Sequence, residues 1–278
     1  MTGIRVATWN VWWRFGDPDR RRPAVLAALR ELDADVVGLQ EVWTRGAENL
    51  AAGLAADLGY DVAFAAAPDA SPWTGRVPGG ADFGIGNAVL SRWPLAASHA
   101  EVLPSAGGPA AQVLLQVLAD TPAGTLPVAT THLTPDMTGS AVRVEQVRAV
   151  ARHVAAGPAG DLPPVVLGDF NAEPTSDEMR LLEGHLTAPA VPGLLLADTR
   201  RWAPDADDAT WRPDNPHVAA RGDPASRVDH VLVGLGRGSV PVTVTRVGLF
   251  ATRGWSGPDG EVWPSDHAGV VVDLHAGR

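Results

Sequence analysis

The sequence predicts one layered α/β domain with mixed sheets. Three observations predict it: β-α-β units open the chain, β-rich stretches recur in both halves, and no repeat or composition shift marks a linker. At 278 residues the chain can bury a sizeable core, and 45% hydrophobic with 19% charged residues suits a globular protein.

Taken in order, Ile4 to Asn10 reads as a buried strand and Pro23 to Leu32 as an amphipathic helix. Asp35 to Gln40 is a second apolar strand, Ala47 to Leu58 a helix stopped by Gly59, and Tyr60 to Ala66 a third strand. Residues 67–83 are rich in Pro and Gly and read as a long loop. Strands follow at Gly86 to Ser91, Leu95 to Leu103, Gln112 to Leu118 and Val128 to His132. The helix Ala141 to Ala155 leads into a strand ending at Asp169, and Ser176 to Glu183 is a shorter helix. Residues 197–227 look irregular. Strands return at Val228 to Val233, Val240 to Leu249 and Ala268 to Leu274.

Composition excludes several classes of function. With no cysteine there is no disulfide framework, thiolate zinc site or cysteine nucleophile. No apolar run approaches the roughly 20 residues of a membrane helix. The amino terminus enters a strand at once, which leaves no room for a secretory signal and makes a cytoplasmic location the expectation. The net charge of −10 disfavours long-range attraction to nucleic acid or anionic membranes. Arg20-Arg21-Arg22 and Arg200-Arg201 read as solvated surface rather than a nucleic-acid track.

The most informative stretch is Val165-Val166-Leu167-Gly168-Asp169-Phe170-Asn171, an apolar run that stops at Gly168. Alternation along a strand would point Asp169 and Asn171 to one side of its end. Alone, the stretch reads equally well as a turn or a site. Five further segments put polar residues at strand ends: Thr8-Trp9-Asn10, Leu39-Gln40-Glu41, Thr130-Thr131-His132, Arg227-Val228-Asp229 and Ser265-Asp266-His267. Each has an ordinary reading as a turn, a cap or a satisfied buried histidine. Together they are expected to converge on one crevice outside the strand ends. Oxygen ligands without thiolate suit Mg²⁺ or Mn²⁺, and Glu41, with Asp266 and Asn10, could supply such an open site. Two histidines and a further Asp remain for proton handling and charge stabilisation. Walker, HExxH, GxSxG and GxGxxG motifs are absent.

In this order the motifs resemble the endonuclease/exonuclease/phosphatase family, metal-dependent phosphoesterases that include DNase I-like nucleases, sphingomyelinases and inositol polyphosphate 5-phosphatases. The resemblance runs from Thr8-Trp9-Asn10 to Ser265-Asp266-His267. Between them stand Leu39-Gln40-Glu41-Val42, Gly86-Asn87-Ala88-Val89-Leu90-Ser91-Arg92, Thr131-His132-Leu133, Gly168-Asp169-Phe170-Asn171 and Arg227-Val228-Asp229-His230. It implies a single catalytic domain over residues 1–278, folded as a four-layer α/β sandwich with two central mixed β-sheets flanked by helices. It also implies that Glu41, assisted by Asn10 and Asp266, holds Mg²⁺ (or Mn²⁺). Asp169 would position or deprotonate the attacking water, and Asn171 would hold a phosphate oxygen. Asp229 would orient His267, while His267 and His132 contact the phosphate. Asp169 and His267 rank equally as the general base.

The expected activity is hydrolysis of a phosphodiester or phosphomonoester on a small or lipid-like substrate, by a monomer. A nuclease on DNA or RNA is the alternative, and a catalytically silent binding module the third reading. Abasic-site endonucleases of this family carry Asp two residues after the strand-end Asn, where this chain has Trp12, and no basic DNA-holding loops are evident. Trp12, Trp13, Trp73, Trp211, Trp255 and Trp263 fall in or beside loops; packing of the domain's rim is favoured over stacking on a substrate. Trp211 to His217 is the best substrate-facing loop, and Arg92 and Arg143 read as phosphate contacts or structural residues with equal weight.

Overall fold

Two β-α-β crossovers, one in each half of the chain, build the two sheets. The computed structural model describes residues 2–105, 107–108, 111–204, 208–257 and 260–277. In the first half, β1 (Thr2–Asn10) passes through α1 (Pro18–Leu32) into β2 (Val36–Arg45). These strands pair in parallel, with Asn10 beside Gln40. Then come β3 (Glu48–Asn49), α2 (Leu50–Leu58), β4 (Asp61–Ala66), α3 (Ser71–Thr74), β5 (Gly84–Ser91), β6 (Leu95–Val102) and β7 (Val113–Thr121). In the second half, β8 (Gly124–His132) passes through α4 (Ser140–Ala156) into β9 (Val165–Asp169), again in parallel, with His132 beside Asp169. The chain ends with α5 (Asp177–Glu183), β10 (Leu196–Asp198), α6 (Pro216–Ala219), β11 (Asp229–Gly234), β12 (Val242–Phe250), the hairpin β13 (Trp255–Gly257) and β14 (Gly260–Val262), and β15 (Gly269–Ala276).

One sheet has the order β12-β15-β1-β2-β5-β4, with β3 beside β2, and the other β10-β11-β9-β8-β7-β6. Alternation along β1 shows how they stack. Ile4 and Val6 enter a core shared with Leu167 and Val231 of the facing sheet, while Ala7 and Trp9 enter a second core with Val25, Leu29 and Leu54 of α1 and α2. Val147 and Val150 of α4 and Met179 of α5 cover the outer face of the second sheet over Ala129 and Val166. The result is the four-layer α/β sandwich that the family resemblance implies, each sheet packing the other sheet on one face and helices on the other. Gly38 leaves room for the facing sheet, since a Cβ there would stand 1.9 Å from Leu167 Cδ1. Beside it, Gln40 Nε2 donates to Thr130 Oγ1 across the sheets at 2.9 Å, and Thr8 Oγ1 donates to Gln40 Oε1.

Several elements differ from their sequence reading. Helix α1 starts at Pro18, five residues early: Asp17 caps it by accepting from Arg20 N, and Pro18 suits the first turn, which leaves Pro23 inside the helix. Strand β2 does not end at Glu41 but runs on to Arg45. Helix α2 starts at Leu50 because Asn49 is its cap. The hairpin β13–β14 was not expected, and residues 205–207 of the irregular stretch lie outside the described residues.

Candidate active site

Strand register delivers most of the polar residues. Asp169 is flanked by His132 on the parallel β8 and by Asp229 on the antiparallel β11. In the other sheet Asn10 ends β1, and Asp266 and His267 precede β15, which runs antiparallel beside it. Gly168 is required by contact: a Cβ there would stand 2.0 Å from Thr131 O of the neighbouring strand. Glu41 is placed by a β-bulge. The β2–β5 register shifts between Leu39 and Val42, and Glu41 adopts φ 57°, which turns its side chain off the alternating pattern. Trp12, Trp13 and Asn171 also have positive φ, so left-handed backbone clusters at this edge. Asn171 has therefore left strand geometry, and its backbone N–H donates to Asp169 Oδ1 at 2.9 Å.

Asp169 Oδ2 is the point on which the site converges. Asn10 Nδ2 donates to it at 3.0 Å, and the Nε2 atoms of His132 and His267 stand 3.6 and 3.8 Å away. His267 Nδ1 lies 2.8 Å from Asp229 Oδ2, and Asp229 is fully buried behind it. Burial alone would lower the His267 pKa, but the carboxylates of Asp229 and Asp169 outweigh it and push it up to about 10. Asp229 is itself raised, because desolvation exceeds the help of His267. The segment bearing His267 is held tightly: Ser265 Oγ donates to Asn10 O at 2.6 Å, Trp9 Nε1 donates to His267 O, and Asn215 Nδ2 donates to the carbonyls of Ser265 and Asp266.

Among the described residues, two sets of side chains at this edge could hold a cation. One ligand atom each from Asp169, Asp229 and His267 lies within 4.8 Å of the others. The second set is Glu41 with Asp266. Glu41 Oε1 accepts from Trp73 Nε1 at 3.3 Å, but Glu41 Oε2 is buried without a partner. Asp266 is raised to about 7 by burial, and the Glu41 carboxylate adds to the rise. Two close carboxylates with an unsatisfied oxygen are what a cation site without its cation presents. Asn10 Oδ1 accepts from Trp12 N and keeps one lone pair.

Asn10, Glu41, His132, Asp169, Asp266 and His267 line a cleft of about 700 Å³, with Asn171 on its wall and Asp229 buried behind His267. Asn171 Nδ2 donates to Leu133 O at 3.0 Å, leaving one amide hydrogen for a ligand. Trp12, Trp73 and Trp211 also line the cleft, and Trp211 meets the His267 ring edge-on at 4.9 Å. Trp13, fully buried with Nε1 donating to Gly84 O, packs the rim. The Trp211 to His217 loop therefore shapes the His267 turn through Asn215 as well as facing the cleft. Arg92 is structural, tied to Asp33 and Asp35. Arg143 borders the cleft but ends on Glu178 and on the carbonyls of Thr134 and Asp136.

Arg21 corrects the reading of Arg20-Arg21-Arg22 as solvated surface. It is 3% exposed, and its guanidinium donates to the carbonyls of Val11, Trp12, Trp13, Phe15 and Pro264, one for each N–H. Burial lowers its pKa to about 10. The signal was available: Arg21, Val25 and Leu29 share one helix stripe.

A model of the endonuclease/exonuclease/phosphatase family matches residues 7–267. Among solved structures, an endonuclease/exonuclease/phosphatase from Beutenbergia cavernae is similar with a TM-score of 0.72 and 28% identity, over 100% of this chain and 72% of that one. Zebrafish TDP2 complexed with a single-strand DNA product is similar at 0.71 and 19%, over 99% and 100%. The human Nocturnin catalytic domain with a bound sulfate is similar at 0.69 and 20%, over 99% and 94%. No curated protein sequence matches the chain.

Proposed function

Because the chain belongs to the endonuclease/exonuclease/phosphatase family, whose members are divalent-metal-dependent phosphoester hydrolases, we propose that it hydrolyses a phosphate ester of a small or lipid-like substrate in the cleft at Asp169. The observation that carries this is the convergence of Asn10, His132 and His267 on Asp169 Oδ2, beside the unsatisfied Glu41 Oε2. Glu41 and Asp266, with the free lone pair of Asn10, would hold the Mg²⁺ or Mn²⁺ ion, since His267 Nδ1 is already engaged with Asp229 in the Asp169–Asp229 set. Such a cation supplies Lewis-acid stabilisation of charge on the phosphoryl group.

A cationic His267 is a poor proton acceptor, which separates it from Asp169 as general base. Asp169 takes a proton from water as the water oxygen bonds to phosphorus. The bond from phosphorus to the leaving oxygen breaks, and that oxygen receives a proton from the imidazolium of His267, held in orientation by Asp229. His132 and the spare amide hydrogen of Asn171 donate to the non-bridging oxygens. No helix among the described residues is long and apolar enough to cross a membrane. The DNA product belongs to the zebrafish neighbour, and at 19% identity that likeness carries the fold alone.

The test is turnover of bis-(p-nitrophenyl) phosphate with Mg²⁺ or Mn²⁺ against a chelator control, in the wild type and in His267→Ala. Metal-dependent release of nitrophenol that the variant loses supports the reading. Absence of turnover with either metal, across a panel of aryl phosphates, phosphoinositides, sphingomyelin, RNA and DNA, leaves a binding module instead.

A further inference from the structure

Beside the cleft, three arginines stand on one aromatic cluster. Trp13 is its buried centre, with Phe15 at 5.4 Å and Phe83 at 6.4 Å between ring centroids, and Trp43 lies 5.9 Å from Phe83. The Arg76 guanidinium sits 4.6 Å over the Phe15 ring, Arg14 4.0 Å over Phe83, and Arg45 5.4 Å from Phe83. Arg45 and Arg76 are exposed and Arg14 is half-buried. Arg5, Arg22, Arg92 and Arg227, by contrast, end on carboxylates. Among the described residues, Arg14, Arg45 and Arg76 make no ion pair and no side-chain hydrogen bond. Glu48, opposite Arg45 in the β2–β3 register, does not bridge to it.

In a chain of net charge −10, like charges gathered without an ion pair are a local positive field against the general one. Guanidinium groups held over aromatic rings keep their N–H donors free for other partners. Arg76 and Phe15 also line the cleft, so the cluster begins at the active-site rim and continues away from Asp169. We propose that Arg14, Arg45 and Arg76 form a phosphate-binding ledge, so that the preferred substrate carries a second phosphate group besides the one hydrolysed. This rests on the phosphoesterase reading of the cleft. It sharpens the substrate class from any phosphate ester to one bearing a further phosphate, on a nucleoside or on a polyol headgroup. The planar fork of arginine suits a phosphate's paired oxygens.

Two substrates separate the ledge from the chemistry: thymidine 5′-(p-nitrophenyl phosphate), and the same ester carrying a 3′-phosphate. The 3′-phosphate is expected to raise kcat/KM about tenfold or more through KM, and the gain should shrink as ionic strength rises. Arg45→Glu and Arg76→Glu should each cut the ratio between the two substrates about three- to tenfold, and Arg14→Gln should do the same. Because the readout is a ratio within one preparation, a loss common to both substrates leaves it unmoved. Calorimetric titration with thymidine 3′,5′-bisphosphate and with inositol 1,4-bisphosphate reads the ledge without turnover, and the tighter ligand identifies the carrier. If neither ester nor any member of the phosphoester panel is hydrolysed with Mg²⁺ or Mn²⁺ but bisphosphate binding weakens in the Glu variants, the hydrolase reading fails and the ledge stands. A substrate ratio near one in the wild type, or bisphosphate binding unaltered in the variants, overturns the ledge and leaves these arginines as covers for the aromatic rings.

Discussion

Glu41 stands inside β2 with φ at 57° and one buried carboxylate oxygen unsatisfied, and it is 9% exposed. A carboxylate oxygen left buried without a partner costs stability, and under the proposed function a cation would satisfy it. Glu41→Gln keeps the shape and removes the charge. In chelator it should melt at or above the wild type, while the rise in Tm produced by millimolar Mg²⁺ or Mn²⁺ should be largely lost. A variant that melts lower in chelator yet keeps the metal-induced rise would contradict a cation role for Glu41. Asp169→Asn should lower kcat at least about a hundredfold with little change in Tm, read with bis-(p-nitrophenyl) phosphate. The residues themselves were legible because strand ends with carboxylates, carboxamides and imidazoles are unusual in bulk. Asn10, Glu41, His132, Asp169, Asn171, Asp266 and His267 all reach the cleft, with Asp229 behind His267. What could not be read was the bulge at Glu41, since strict alternation would have sent its side chain to the helix-covered face. Nor could periodicity foretell that Asn171 leaves the strand with φ at 47°.

The same limit and its exception appear together in α1. Sequence periodicity located the helix, but the start was set by Asp17 and Pro18 rather than by Pro23. Inside that missed first turn lies Arg21, which ties the loop after β1 to Pro264, just ahead of Asp266 and His267. A lysine there has three donors and cannot satisfy five carbonyls in a plane. Arg21→Lys should therefore cost on the order of 3 kcal/mol in urea unfolding, as buried carbonyls lose their partners. A loss below about 1 kcal/mol would mean that water serves these carbonyls equally well. The helices and strands with one buried stripe were readable from pattern alone. The irregular 197–227 region was not, because its short pieces are organised by tertiary contacts such as Asn215 on Ser265 and Thr210 on Asp229.

Across the molecule, the two sheets are joined at their functional edge by polar contacts and, in the second sheet, by a buried charge network with a pH signature. Asp198 on β10 lies 2.7 Å from Nδ1 of the fully buried His230 and is hydrogen-bonded to Arg227, while His230 Nε2 lies 2.9 Å from Ala172 O in the segment after Asn171. Burial opposes ionisation of Asp198, but His230 and Arg227 outweigh it and hold its pKa at about 2. The native pKa lies below the unfolded one of about 4, so the unfolded chain binds the proton more readily. The resulting stability is complete above about pH 4 and is lost as pH falls through about 2. This amounts to on the order of 2 kcal/mol. Asp198→Asn has no proton to take up in that window. Its urea midpoint should fall less steeply than the wild type's between pH 4 and pH 2, although the variant is the less stable protein at pH 7. Parallel acid limbs for the two proteins would assign acid lability to other carboxylates and free the Ala172 segment from this network.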